Sequence, residues 1–432
     1  IFVETLLIML LGATDVMMLS RYSDDTVASV GVVNQLLSLI FILYGISTLG
    51  TSVLCSQYLG AHQKKNVMQT IGVSLVINLL VGLVVSAGLY VFAPQLLGLM
   101  GLSPQLIDCG KVYMQIVGGF SFLQAIAMTL SATLRSHNQA FYPMYVTLLM
   151  NVLNVGGNYL LIFGKCGFPA LGASGAAVST SVCRLIAMCL LGYLLFRKVV
   201  PNFSFKYLRP FPWDKVKNLM VVGLPAAGEQ VSYNLSQVVI TYFSVLIGTA
   251  ALTARTYAMN IVMFSYVFSI ALGNGAAICI GHLIGAEKDN AAYSVEKYSI
   301  WLSVIITVVI SVFTALIGTN IFQLLSPNPE VVKIGAAVLY VDIVLEIGRA
   351  VNITSVDSLI AAGDVFYPFI TGIIVMWGVA TLCAYLLGVW WGWGLTGIWL
   401  AMALDENIRA VIFERRWKSR KWQTKAFARR GL

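Results

Sequence analysis

An internal repeat constrains what this chain can fold into more than any other feature. Gln57-Tyr58-Leu59-Gly60-Ala61 returns as His282-Leu283-Ile284-Gly285-Ala286, and Phe141-Tyr142-Pro143 returns as Phe366-Tyr367-Pro368, both at an offset of 225. Glu4 maps onto Glu229 at the same offset, whereas Gly172-x-x-Gly175 returns as Gly394-x-x-Gly397, so one loop has slipped by three residues. Both copies are suited to a membrane, since the chain is 59% hydrophobic and 10% charged, against roughly 25% charged in a soluble domain. A membrane protein made of two like halves implies an interior cavity at their interface that opens to either side in turn.

At 432 residues the chain can hold a dozen membrane spans of ~20 residues each. Apolar runs predict them near 1–20, 28–58, 68–97, 108–134, 141–164, 174–196, 225–248, 253–281, 291–321, 333–361, 367–389 and 394–414. The expected fold is an all-α integral membrane protein of twelve transmembrane helices. It divides into an amino-terminal lobe (1–196), a linker (197–224), a carboxy-terminal lobe (225–414) and a basic tail (415–432). The linker carries Pro201, Pro210 and Pro212 among basic residues, and its second part, 213–224, reads as a short amphipathic helix on the membrane surface.

Lys64, Lys65, Arg135, the linker, Lys288 and the tail fall on one side, and Arg21, Lys111, Lys165 and Lys333 on the other. Excess Lys and Arg mark the cytoplasmic side, so both termini are expected there, at the cell inner (plasma) membrane. Six spans per lobe with both ends on one side give the lobes the same orientation, related by a pseudo-two-fold along the membrane normal. The tail reads as this topology signal plus attraction to anionic lipid. The net charge of +9 then needs no nucleic-acid partner.

Cys55, Cys183, Cys189, Cys279 and Cys383 lie in apolar spans, where a thiol behaves as a small hydrophobe; Cys109 and Cys166 fall in loops. His62, His137 and His282 are remote from any cysteine cluster, so neither a metal site nor a cofactor is expected. The run from Ile1 to Leu19 has no basic n-region and no small-residue cleavage site, so no cleaved signal is expected, and an initiating segment is expected ahead of Ile1.

A charge at mid-bilayer costs at least ~2.5 kcal/mol on insertion scales, which makes intramembrane ionisable residues functional candidates. The candidates singled out within the spans are Glu4, Asp15, Glu229, Asp342, Glu346, Asp357, Asp405 and Glu406 against Arg184, Arg349 and Arg409. This acid excess suits a cationic passenger or a cation cycle. Asp15 precedes Arg21 by six residues, about 9 Å at helical rise. Its own-helix neighbours Leu11, Gly12, Met18 and Leu19 offer no base, so it is a candidate for proton exchange; the plainer alternative is a protonated carboxyl bonded to a neighbouring helix. Asn154, Asn158 and Thr180 are candidates to present oxygens to Asp15, either as ligands of a small hard cation or as hydrogen-bond partners of the protonated acid. Ordinary interhelical bonding is the alternative.

Asp342, Glu346, Arg349 and Asn352 share one helical face. They form either a second proton or cation site or a structural Glu346–Arg349 pair. Glu229 follows Pro225 by four residues, with Gln230, Ser232, Tyr233, Asn234, Ser236 and Gln237 after it. It reads either as a first-turn acid meeting the helix dipole, a job shared with Glu4, or as a substrate or gating residue. Asp405, Glu406 and Arg409 read as a local structural network. Met17, Met18, Tyr233, Phe264, Tyr266, Met376 and Trp377 offer soft and aromatic surfaces for apolar cations. Of these, Met18, Tyr233 and Met376, with Gln230 and Asn234, are the pocket-lining candidates; packing or contact with lipid is the alternative. Trp390, Trp391 and Trp393 read as an interfacial belt.

With those residues in view, the chain resembles the multidrug and toxic compound extrusion (MATE) family over essentially its whole length. The resemblance rests on Asp15-Val-Met-Met-Leu-Ser-Arg21, Gln57 with Gly60-Ala61, and Asn154-x-x-x-Asn158-Tyr-Leu-Leu-Ile-Phe-Gly164. It continues in Gly172-x-x-Gly175-Ala-Ala-x-x-Thr180, Gly223-Leu-Pro225-x-x-x-Glu229-Gln230, and Ala362-Gly363-Asp364 before Tyr367-Pro368. The Pro225–Gln230 and Asp405–Arg409 stretches are most similar to the DinF-like branch.

The resemblance implies a secondary antiporter that exports organic cations and drugs by alternating access in exchange for protons or sodium. Asp15 matches the family's first-span carboxylate and Asn154 and Thr180 its partners, while Asn158 stands where many members carry Asp. Glu229 matches the branch motif and lies near the seventh-span Glu of sodium-coupled members. The neutral Asn158 favours protons, whereas Asp342 and Glu346 speak for sodium. A monomer in the lipid bilayer is expected. The alternative is a lipid-linked oligosaccharide flippase of the same superfamily, whose cavities tend to be basic. A membrane enzyme finds no nucleophile–base pair, metal motif or phosphate loop here.

Overall fold

The computed structural model describes residues 1–165, 167 and 169–429, so Cys166 and the tail residue Arg430 lie outside the described residues. Among the described residues the chain is helical and contains no strand. Its first half consists of α1 (Phe2–Ser20), α2 (Asp24–Gly60), α3 (Lys64–Val91), α4 (Ala93–Leu99), α5 (Pro104–Gly119), α6 (Ser121–Ser136), α7 (Phe141–Phe163) and α8 (Ala173–Tyr193). Then follow α9 (Trp213–Ile247), α10 (Thr249–Gly285), α11 (Asp289–Leu316), α12 (Gly318–Leu325), α13 (Pro329–Ala361), α14 (Phe366–Val375) and α15 (Gly394–Lys418). Two π-helical turns, Met376–Thr381 and Ala384–Trp390, extend α14.

Among the described residues, eight helices are long and apolar enough to cross a membrane, and α5 with α6, bent by 41°, makes a ninth span. The helices α9, α13 and α15, of 35, 33 and 25 residues, are long enough too. Polar and charged residues keep them out of that set: Glu229, Gln230, Asn234 and Gln237 in α9, Asp342, Glu346, Arg349 and Asp357 in α13, and Asp405, Glu406 and Arg409 in α15. The three bring the set to twelve, and the spans outside the strictly apolar set are those that hold the polar clusters of the second half.

Helix ends follow local chemistry. Asn328 caps α13 by accepting the Glu330 N–H at 2.9 Å, with Pro329 in the first turn. Gly164 stops α7 in the left-handed conformation (φ 64°), returning its N–H to Leu160. Cys109 lies inside α5 rather than in a loop, its Sγ 3.9 Å from Thr26 Oγ1.

Two compact units emerge, one of Val3–Leu59 with Gln63–Gly223, the other of Gly60–His62 with the chain from Leu224 onward. Lipid tails give helices no hydrophobic reason to associate, so hydroxyls and small residues bind them. In the first unit Ser47 and Thr51 of α2 meet Ser74 of α3 at 2.8 and 2.5 Å, and Asn78 donates to Thr129 of α6 at 2.6 Å. In the second, Ser269 of α10 bonds Thr307 and Ser303 of α11, each at 2.8 Å.

The stretch 213–224 is not a separate surface helix. The helix α9 begins at Trp213 and runs through Pro225 to Ile247. Its first turns pack backbone to backbone on α2: a Cβ on Gly50 would lie 2.9 Å from the Leu219 carbonyl oxygen, and one on Gly223 would lie 2.0 Å from that of Ile46. Lys215 is drawn in as well, 4.8 Å above the Tyr58 ring and 3.1 Å from Asp214.

The tail is folded rather than loose. Two short 3-10 turns, Lys421–Lys425 and Phe427–Arg429, follow α15. Trp417 and Trp422 are fully buried and stack at 4.3 Å, and Trp422 Nε1 donates to the Trp417 carbonyl at 3.0 Å. Arg429 binds Asp289 at 2.5 Å and the Ile284 carbonyl at 2.9 Å, while Arg416 binds Asp364 at 2.7 Å. Removing a buried aromatic typically costs about 3–5 kcal/mol. Trp422→Ala is therefore expected to lower the unfolding temperature of the detergent-purified protein markedly; unfolding at the wild-type temperature would mean that the tail rests loosely on the second unit.

Candidate functional site

In the first unit, α1, α7 and α8 bring Asp15, Asn158, Asn154 and Thr180 into one chain of hydrogen bonds. Asn158 Nδ2 donates to Asp15 Oδ1 at 2.6 Å and to Asn154 Oδ1 at 3.0 Å, and Asn154 Nδ2 donates to Thr180 Oγ1 at 3.3 Å. Asn154 and Asn158 are buried, four residues apart on α7, and Asn158 Oδ1 has no hydrogen-bond partner. The cluster is one carboxylate among neutral amides and a hydroxyl, groups that can hydrogen-bond Asp15 with or without its proton.

Asp15 is not without a base, however. Arg184 of α8, four residues after Thr180, acts electrostatically on Asp15 and on Tyr44 and Tyr113. Its guanidinium lies 5.5 Å from the Phe41 ring centroid, and its Nη1 is buried with no hydrogen-bond partner. The cation comes from another helix, which is why the own-helix neighbours of Asp15 gave no sign of it. Glu4, 4% exposed, is answered by Arg135 at 2.8 Å.

In the second unit the face of α13 and the polar turn of α15 are one network. Arg349 pairs with Glu346 and lies 3.7 Å from Glu406. Arg409 holds Asp405 at 2.5 Å and Glu406 at 3.2 Å, and Asn352 donates to Glu406 at 2.6 Å. Trp399 Nε1 donates to Asp342 at 3.1 Å, and the Arg349 guanidinium sits 4.9 Å from the Tyr266 ring centroid. Four carboxylates therefore share two arginines. Such an imbalance in a low-dielectric interior is relieved by a proton or a small cation. Among the described residues no three His, Cys, Asp or Glu side chains converge as a metal ion would need.

Glu229 lies roughly four turns inside α9, so a first-turn meeting with the helix dipole does not explain it. It does not share Glu4's job either, because the repeat offset places Ile360 where Arg135 stands. The ion pairs of Arg409 go to Asp405 and Glu406, leaving Glu229 with longer-range interactions to that network and with Asp357 of α13.

Of the lining candidates, Met18 packs on the first unit's core and Met376 is 2% exposed. Tyr233 and Asn234 are half-buried, Tyr233 within electrostatic reach of Arg349, Glu406 and Arg409, while Gln230 is exposed. Trp390, Trp391 and Trp393 are exposed and adjacent, with ring centroids 6.4 and 5.5 Å apart.

Two buried ionisable residues escape a reading by charge count. Arg255 of α10 donates to Gln237 at 2.9 Å and Thr241 at 3.3 Å, and Glu296 of α11 accepts from Ser355 at 3.3 Å. Periodicity carried a signal for both. Glu296 falls in the buried series Ala292, Ser299, Ser303 and Thr307, and Arg255 in Ala251, Ala258, Val262 and Ser265.

Twelve membrane-crossing helices with ionisable residues gathered inside each of two units are the make-up of a membrane transporter. The MatE family profile matches residues 1–160 and 225–386. The chain is 40% identical over 428 residues to an uncharacterized transporter, YisQ, of Bacillus subtilis, covering 99% of this chain and 94% of that protein. It is 24% identical to a probable multidrug resistance protein, NorM, of Thermotoga maritima, covering 98% and 91%. Among solved structures, a mutant of the Vibrio cholerae MATE transporter VcmN superposes with a TM-score of 0.90 at 17% identity, covering 98% of this chain and 96% of that one. A crystal structure of MATE in the bent conformation gives 0.88 at 19% identity, covering 97% and 92%. The chain belongs to the MATE family: it is a multi-pass membrane transporter with twelve transmembrane helices in two lobes.

Proposed function

We propose that this transporter is a secondary active antiporter that exports organic cations and drug-like amphiphiles by alternating access, driven by inward proton flow through Asp15. The observation that carries the reading is the Asn158–Asp15 bond at 2.6 Å within a chain of neutral partners. Such a site tolerates both a carboxylate and a carboxylic acid, and a bound cation competes with the proton for the same oxygens. Arg184 offsets the charge of Asp15, so the net acidity that favours a cationic passenger resides in the second unit, where Asp342, Glu346, Asp405 and Glu406 outnumber Arg349 and Arg409. Relatives named as multidrug resistance proteins support the same direction and class of cargo. Their names speak against the lipid-linked oligosaccharide flippase. The proposal places the protein as a monomer in the plasma membrane with both termini cytoplasmic.

The coupling ion is testable. Sodium prefers several oxygen ligands including negative charge, and Asn158 leaves the first cluster with a single carboxylate. Export of a fluorescent organic cation from vesicles is expected to follow an imposed proton gradient and to stop with an uncoupler. Full export under a sodium gradient with the proton gradient collapsed, lost when choline replaces sodium, would move the coupling site to Asp342 and Glu346.

A further inference from the structure

Near the basic end of the second unit, α11 and α15 both pack along α13 and leave a cleft of about 530 Å³ between them. Lys297, Glu414 and Lys418 form its polar rim, and Ile300, Trp301, Val304 and Ile305 its wall. We propose that this cleft binds one anionic phospholipid, its phosphodiester between Lys297 and Lys418 and an acyl chain along Trp301 and Ile305.

The order of residues along α11 supports a lipid rather than a soluble anion. Lys297, Trp301 and Ile305 recur every four residues on one helix face, so ammonium, indole and aliphatic side chains follow one another towards the middle of the span. That is the order of a membrane interface: headgroup, aromatic belt, hydrocarbon. Lys297 lies eight residues into α11, about 12 Å from its start. Trp301 and Tyr298 are 65% and 75% exposed although they sit within a membrane-spanning helix.

Charge fixes the class of headgroup. Lys418 is paired with Glu414 at 2.9 Å, so the rim carries one net positive charge, the complement of a monoanionic phosphodiester. Lys297 has its ammonium 4.7 Å from the Tyr293 ring centroid, and both lysines are exposed. Glu296 lies behind the rim, fully buried against Ser355. Of the tail arginines, Arg416, Arg420 and Arg429 are held by Asp364, Asn290 and Asp289. Basic clefts between transmembrane helices on the cytoplasmic side are established places for anionic headgroups, and the volume lies in the range of small-ligand sites.

Native mass spectrometry of the full-length protein, exchanged into micelles with phosphatidylglycerol or phosphatidylcholine, tests this. One phosphatidylglycerol is expected to be retained in preference to phosphatidylcholine. Loss of two basic contacts in Lys297→Gln/Lys418→Gln is expected to weaken retention roughly 30-fold. Lys297→Arg/Lys418→Arg keeps the lipid, and Glu414→Gln, which releases Lys418, strengthens retention. Unfolding of each variant in phosphatidylcholine at the wild-type temperature shows that the fold is intact. Equal retention of the two lipids overturns the proposal, as does undiminished phosphatidylglycerol on the glutamine variant. So does displacement of the lipid by inorganic phosphate alone, which would identify a free-anion site.

Discussion

Asp15→Asn is expected to reduce proton-driven export to the rate of empty vesicles while leaving the protein folded. The substitution keeps the shape of the side chain and a carbonyl oxygen that can still accept the Asn158 Nδ2 hydrogen bond, now 2.6 Å long. The hydrogen-bonded chain through Asn154 to Thr180 therefore survives, and so does the packing of α1 against α7. What disappears is the ionisable group, and a proton cycle cannot run through an amide. Arg184 acts on Asp15 at longer range than an ion pair, so the substitution breaks no salt bridge, but the remaining positive charge further disfavours a cationic substrate. Yield and unfolding temperature are expected to match the wild type, and flat, near-zero export from acid to alkaline pH is the expected profile. Export at the wild-type rate across that range would place the coupling site elsewhere, with Glu229 and Asp357 the next carboxylates to test.

How much of this was legible in the sequence depended on whether an interaction runs along one helix or between helices. Nine spans follow from apolar run length, and α9, α13 and α15 follow once a few polar residues are tolerated within a run, because burial of backbone polar groups in lipid leaves helices as the only option for such segments. The spacing of Asn154 and Asn158 placed both on one face of α7, and the family pattern matched Asn154 and Thr180 to partners of Asp15, whereas the direct bond comes from Asn158, which departs from that pattern. Arg184 was visible as an intramembrane base, but nothing in its own helix says that it acts on Asp15. The face of α13 and the acidic turn of α15 likewise read as two separate features, since no local spacing tells that Asn352 and Arg349 reach Glu406. The repeat misled at Glu229: it predicts a job shared with Glu4, but the partner position changed from Arg135 to Ile360. The linker and tail were read by composition as surface segments. Their glycines and tryptophans decided otherwise, with Gly50 and Gly223 admitting α9 onto α2 and Trp417 and Trp422 burying the tail.

Arg409→Met is expected to destabilise the second unit about as much as the loss of Trp422. Arg409 is 4% exposed and answers both Asp405 and Glu406, while Glu406 is also bound by Asn352 and approached by Arg349. Methionine is close to it in length and leaves no void, so the effect isolates charge from packing. Two carboxylates then lose their principal partner in the interior, a change that typically costs about 3–5 kcal/mol. Asp405→Asn is expected to cost far less, because the amide still accepts a hydrogen bond from Arg409 and Glu406 retains its counter-charge. Removing acid and base together in Asp405→Asn/Arg409→Met is expected to cost less than the sum of the two single changes, since coupled partners are not additive. The unfolding temperatures of the three variants in detergent measure this directly. Equal stability of Arg409→Met and wild type would show that the carboxylates already hold protons or a cation that makes the arginine dispensable, and the network would then rank beside Asp15 as a coupling site.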